Sequence, residues 1–247
     1  METFIEYDVK KCVWYGVDPL AEKNFEYTPY VYTGNNPIRY IDPDGQDWYE
    51  DENCNKRYDE KLTKDNQKEF LKTGQRYLGE TYTDKTKNGT NNYRKDGSVM
   101  FGSQADGVAY MTWATFKDGD SGGKQKEQFA FLDGNTMLVT PDKFNEASES
   151  NPYSAGYKIS DGTFFDPVEQ RSKGFDATVH THPAEKNHGN RPSGGDVIAA
   201  ELYPSKVGFV LGLGNDRVYG FNHKGQFDTS LKVTDFKKGK KFPKYGR

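Results

Sequence analysis

Residues 180–196 read HTHPAEKNHGNRPSGGD, a stretch that holds three of the chain's four histidines, His180, His182 and His188. Placed on a strand, residues two apart point to the same face, so the rings of His180 and His182 would stand side by side. Two such imidazoles are half of a catalytic zinc site, which takes three protein ligands and keeps one position for water or substrate. Asp196, delivered from the first turn of a following helix, is the candidate third ligand. Each half has a plainer reading, a polar loop that happens to hold histidines and an ordinary helix cap. Their order, at a strand end and then a helix start, favours one joint site because chance would have to supply several roles at once.

Strands and helices must position these groups. The apolar run DATVHTH reads as a strand ending at the histidines, and GGDVIAAELY as a helix with Ser193 at the N-cap and Asp196 at N3 in a capping box. Upstream, EQFAFL and TMLVT form a predicted hairpin across Asp133-Gly134-Asn135. GYKI, VGFVLGL, DRVYGFN and QFDTSLKV are further predicted strands. The stretch SQADGVAYMTWATF predicts a helix that packs through Ala105, Val108, Ala109, Thr112 and Phe116. A second helix is expected within YDEKLTKDNQKEFLKTGQRYL, residues 58–78. The class is therefore α/β, or α+β, with one central mixed sheet flanked by helices.

Composition narrows the function. Hydrophobic residues are 33% of the 247, but 17 Tyr and 16 Phe concentrate apolar burial in rings, which suits strands more than a helical bundle. A net charge of −3 gives no general attraction to nucleic acid or an anionic membrane. The basic stretch from Lys232, with seven Lys or Arg against one Asp, is expected to be a solvated, partly disordered end. Cys12 and Cys54 are too few for a disulfide framework or a Cys-type zinc site. No run has the apolar length of a transmembrane helix, and METFIEYDVKK carries charges where a signal peptide needs an apolar run.

The first 48 residues differ in texture, dense in Tyr, Pro, Asn and Gly, with turn-making pairs at Asp18-Pro19, Asn36-Pro37, Asp42-Pro43 and Asp44-Gly45. DPLAE, followed by TPYVYTGNNPIRYIDPDG, resembles the end of the RHS repeat-associated core, the closing segment of the β-cocoon of bacterial RHS/YD-repeat proteins. The resemblance covers about residues 7–48 and implies that the remainder of the chain is a C-terminal toxin domain carried within the RHS shell. It also implies a self-cleavage role for Asp18 and Asp42, which occupy candidate positions. The chain begins within this recognisable segment and is expected to be the last part of a longer protein, exported without a classical signal as a secreted effector and delivered into a target cell.

The signature H-x-H-P, a loop, then S-x-x-D resembles that of the JAMM, or JAB1/MPN, metalloproteases, and also the JAB-type toxin domains attached to RHS cores. The resemblance implies an MPN/JAB-like sheet, a Zn2+ cofactor held by His180, His182 and Asp196, and Ser193 steadying the attacking water or the tetrahedral oxyanion. It also implies a general base from an upstream strand. Glu127, 53 residues before His180, opens EQFAFL and is the candidate; Glu146, Glu149 and Glu169 compete but lack a strand to hold them. The loop AEKNHGNRP is about three residues longer than usual in the family, which should leave the ligands intact and bears on substrate recognition. His188 within it is read first as exposed, with a fourth ligand or a substrate contact as the alternatives, and His223 as a hairpin-turn residue. The expected organisation is an RHS core end at 1–48, a polar, partly helical connector at 49–95, the metallopeptidase toxin at 96–235 and a basic tail at 236–247. Its expected partners are a protein substrate, a cognate immunity protein and the RHS shell, with peptide or isopeptide bonds as the target; a metal-dependent nuclease and an inactive MPN-like binding module are the alternatives.

Overall fold

Aromatic and β-branched runs separated by Gly, Asn and Asp turns favour strands over helices, and the molecule is built that way. The structure, a computed structural model, describes residues 46–117, 125–146, 149–183 and 190–244, together with the short strands β1 (Tyr7–Asp8) and β2 (Val13–Trp14). The chain divides into two compact units, Met1–Gly45 and Gln46–Arg247. In the first, β1 and β2 pair antiparallel. Asp18, Asp42, Cys12 and His188 lie outside the described residues.

The second unit opens with β3 (Asp47–Glu50), β4 (Lys56–Asp59), a single helical turn α1 (Gln67–Phe70) and β5 (Arg76–Gly79), the strands pairing in the order β4-β3-β5. Next come β6 (Tyr82–Thr86), β7 (Gly89–Tyr93), β8 (Val99–Phe101), helix α2 (Gln104–Phe116), β9 (Phe129–Asp133) and β10 (Thr136–Val139). A small sheet of β11 (Ile159–Ser160), β12 (Thr163–Asp166) and β13 (Arg171–Gly174) precedes β14 (Ala177–His182). Helix α3 (Gly194–Ala199) runs into a 3-10 turn at Ala200–Leu202, and β15 (Val207–Gly212), β16 (Arg217–Asn222), β17 (Gly225–Asp228) and a 3-10 helix at Val233–Lys238 complete the unit. Nine strands form the main sheet in the order β17-β16-β15-β14-β9-β10-β8-β7-β6. Its pairings are antiparallel except β14 with β15. The fold is mixed α+β, with a large, mostly antiparallel sheet and few helices.

Two apolar layers sandwich this sheet. On one face Ala130, Leu132, Val139, Val179, Phe209 and Leu211 pack against Val108 and Met111 of α2 and against Phe236 and Phe242. On the other, Phe129, Phe131, Val210, Tyr219 and Phe221 meet Tyr157, Phe164 and Phe175 of the small-sheet region and Ala200 and Tyr203 beyond α3. Phe131 and Phe164 stack at 3.9 Å.

Four sequence expectations need correction. Residues 58–78 are not a long helix: Thr63 and Asn66 exchange side-chain bonds with each other's backbone N–H, a local alternative to helical bonding. Only α1 remains helical there. Helix α2 lies where expected, capped by Ser103, but it buries Gln104, Gly107, Val108, Met111, Ala114 and Thr115, so that Val108 alone of the predicted face is buried. With Val, Ala, Tyr, Met, Trp and Phe around its circumference, periodicity alone cannot orient it. Residues 49–95 belong to the second unit, with β6 and β7 extending the main sheet and Tyr93 in its core. The basic stretch is also not a solvated end through Phe242: its lysines face water while Phe236 and Phe242 are buried, and the Phe242 N–H donates to Gln104 Oε1. Phe242→Ala is therefore expected to cost about 3–5 kcal/mol, visible as a lowered Tm; an unchanged Tm would show that the segment is not part of the core.

Candidate metal centre

Strand register brings the candidate residues together. In the antiparallel β9–β14 pair, Ala177 faces Leu132 and His180 faces Phe129. Continued by two residues, this register sets His182 opposite Glu127, just ahead of β9. Alternation puts Glu127, Phe129 and Phe131 on the same face as His180 and His182, and Glu127 Oε1 lies 3.7 Å from His182 Nε2. The third side of the site comes from the parallel connection between β14 and β15, which carries α3 across the C-terminal end of β14. Such strand ends, where the chain leaves a parallel pair, are common ligand positions.

Helix α3 begins as expected. Ser193 Oγ accepts from the Asp196 N–H at 3.2 Å and the Asp196 carboxylate accepts from the Ser193 N–H, closing the capping box. The cap aims Asp196 at the histidines: Oδ1 is 3.1 Å from His180 Nε2 and Oδ2 is 3.6 Å from His182 Nε2. The approach to Ser193 is held by the β15–β16 turn and by β16. Asn190 Oδ1 accepts from the Gly214 N–H, and the Arg191 guanidinium lies over Tyr219. Gly212, opposite His182 in the parallel register, has no room for a side chain, since a Cβ there would sit 2.7 Å from the Asn190 carbonyl.

His180 Nε2 and His182 Nε2 are 3.1 Å apart. Two imidazole lone pairs cannot face each other at that distance unless a proton or a cation lies between them. Glu127, His180 and His182 form a cluster with ligand atoms close enough to hold one metal ion, and all three are buried. Asp196, its side chain 18% exposed, is the solvent-facing member of the site. The donor set fits zinc: the edge of a tetrahedron with bonds of about 2.0–2.1 Å is about 3.3 Å, close to the 3.1, 3.1 and 3.6 Å separations among His180, His182 and Asp196.

The electrostatics follow from burial and pairing. Burial pushes the Glu127 carboxyl up to about 7, with His180 pulling it down and Asp196 and Glu149 reinforcing the rise. Burial opposes charge on Asp196 too, but the bond with His180 and the Ser193 donors outweigh it and hold Asp196 well below the usual carboxylate range. For His180 burial acts to lower the value, yet Asp196 and then Glu127 raise it overall. A carboxyl raised in the fold makes stability fall as pH climbs from its unfolded value, 4.5, through its folded one. A histidine raised in the fold contributes stability below 6.5 that is lost as pH climbs through its folded value. Both act in the same direction, so metal-free protein is expected to be less stable at about pH 8 than at about pH 5. Thermal melts in chelator across that window check it, and a Tm that rises with pH contradicts it.

The competing glutamates are placed differently. The Glu146 carbonyl accepts from the Glu127 N–H, and Asn145 Nδ2 donates to the Glu127 carbonyl, so this segment props the strand start. The Glu149 carbonyl accepts from the Glu146 N–H and its charge helps raise the Glu127 carboxyl, and Glu169 is paired with Arg171 and Lys173. His223 sits in the two-residue turn between β16 and β17. A polar cleft of about 580 Å3 is lined by Lys126 and Gln128, the alternating neighbours of Glu127, and so opens on the opposite side of this strand start. Sequence reasoning missed Gly212, Asn190 and the contacts of Thr181. A glycine ending an apolar strand was the one visible signal, and only the parallel register makes it informative. Comparison with protein-family models, curated proteins and solved structures finds no match for the chain.

Proposed function

We propose that the second unit is a zinc-dependent hydrolase of the JAMM kind, cleaving peptide or isopeptide bonds in a protein, and that it acts as the toxin domain of an RHS-type effector. The observation that carries this reading is the buried cluster of Glu127, His180 and His182 from two strand ends, with Asp196 brought within 3.1 Å of His180 and 3.6 Å of His182 from a helix start on its solvent side. In it His180, His182 and Asp196 hold the zinc. When bound, zinc would bring the pKa of a water toward neutrality and polarise the scissile carbonyl. Glu127, whose Oε1 lies 3.7 Å from His182 Nε2 across the strand pair, is assigned the base. Raised to about 7 by burial, its carboxyl can take a proton and return it to the leaving amine near neutral pH. Ser193, fixed at the cap beside Asp196, is assigned to the developing oxyanion. The zinc and toxin assignments rest further on the HTHP and SGGD words and on the RHS-like words that precede them.

Elemental analysis of protein purified without chelator tests the centre: about one zinc per chain is expected, and a ratio near zero overturns the metal reading. Expression in bacterial cells, with and without a candidate immunity protein, tests the toxin role.

A further inference from the structure

Between the two histidines, Thr181 points to the other face of β14 and is fully buried, as are Thr115 of α2 and Gln128. In a regular antiparallel ladder every second facing pair exchanges both N–H···O=C bonds, and Thr181–Gln128 is a rung of that kind. Thr181 and Gln128 complete only one of these: the Thr181 N–H donates to the Gln128 carbonyl at 3.0 Å. The Gln128 N–H instead reaches the Thr181 hydroxyl at 2.8 Å. That hydroxyl lies 2.8 Å from Thr115 Oγ1, which bonds the Met111 carbonyl at 2.9 Å. With its one proton on Met111, Thr115 must accept from Thr181, and Thr181 in turn accepts from Gln128. The chain of donors runs one way from the start of β9 into α2, and each hydroxyl gives once and takes once.

This irregular rung sits between His180/Phe129 and His182/Glu127. It ties the Gln128 N–H, one residue from Glu127, to a hydroxyl on the α2 face. We propose that Thr181, anchored on Thr115, is a positioning residue that fixes both the spacing of the two histidines flanking it and the position of Glu127 opposite His182. The proposal deepens the metal-hydrolase reading and rests on it. It assigns α2, which contributes no ligand, a part in holding the centre. Second contacts of this kind commonly change metal affinity or activity by about 10–100-fold when removed.

The test uses the full chain and Co2+ as the probe. Thr181→Val keeps the shape and deletes the hydroxyl; it is expected to weaken Co2+ binding by about tenfold or more, while Thr181→Ser restores it to within about twofold of the original. Thr178→Val, on the same strand, removes a different buried hydroxyl bond, that to the Tyr203 hydroxyl, and controls for lost stability. It is expected to leave Co2+ affinity unchanged. Thr115→Val breaks the anchor from α2 if Thr181→Val fails to fold. In the unaltered protein, the Gln128 amide should exchange with solvent as slowly as those of the central strands. Unchanged affinity in Thr181→Val, equal loss in Thr178→Val, no recovery with Ser, or a fast-exchanging Gln128 amide each overturns the positioning role while leaving the metal centre standing. Failure of the unaltered chain to bind Co2+ overturns both.

Discussion

Glu127→Gln is expected to retain about one zinc per chain and to lose hydrolysis, and with it toxicity, by a factor of about 10²–10⁴. The substitution keeps the side chain's size and removes its capacity to take a proton. Because burial already disfavours the charged carboxylate, a neutral amide should cost the fold little and relieve it above pH 7. Elemental analysis, a thermal melt and a cell-killing assay on the same preparation separate the outcomes. Undiminished killing means that another group is the base. Loss of zinc along with activity means that Glu127 is itself a ligand, as its place in the cluster with His180 and His182 would allow.

The second large effect separates the two tasks of the S-x-x-D motif. Asp196→Asn keeps an oxygen able to accept from the Ser193 N–H, so the cap survives in part, but it removes the charge that meets His180 at 3.1 Å. Zinc affinity is expected to fall at least about 100-fold, beyond the usual loss from a supporting contact, with a modest change in Tm. Ser193→Ala should do the reverse: a loss of about 1 kcal/mol of stability from the missing cap, with zinc retained. Zinc competition titrations beside thermal melts distinguish them. If Asp196→Asn binds zinc like the original chain, the motif is a helix start and nothing more.

Much of this site was legible because its parts are local. The histidine pair needs only the two-residue period of a strand, and the cap needs only four consecutive residues, so Ser193 and Asp196 fell into place. Glu127 was harder: its distance in sequence says little until the register sets it across from His182. The parts that escaped depend on pairings far apart in the chain. Nothing in Thr181 or Thr115 alone marks one hydroxyl against the other 66 residues away. The same holds for the fold. Hairpins such as β9–β10, closed by the Gly134-Asn135 turn, were readable, whereas the place of β6 and β7 in the main sheet and the docking of Phe242 depend on distant partners.

The aromatic layer beneath the centre also bears on the charge that can be accommodated there. The His180 ring meets the edge of Phe221 at 5.6 Å, and Phe129, Tyr203 and Tyr219 belong to the same buried layer. With little water on that side, net charge left uncompensated is costly. The ionised carboxylates of Glu127 and Asp196 bring one negative charge each, and neutral imidazoles bring none. A dication therefore leaves the pocket neutral; a monovalent ion leaves it negative and a trivalent one positive. Charge alone therefore favours a divalent ion over a monovalent one at this cluster, before coordination geometry acts.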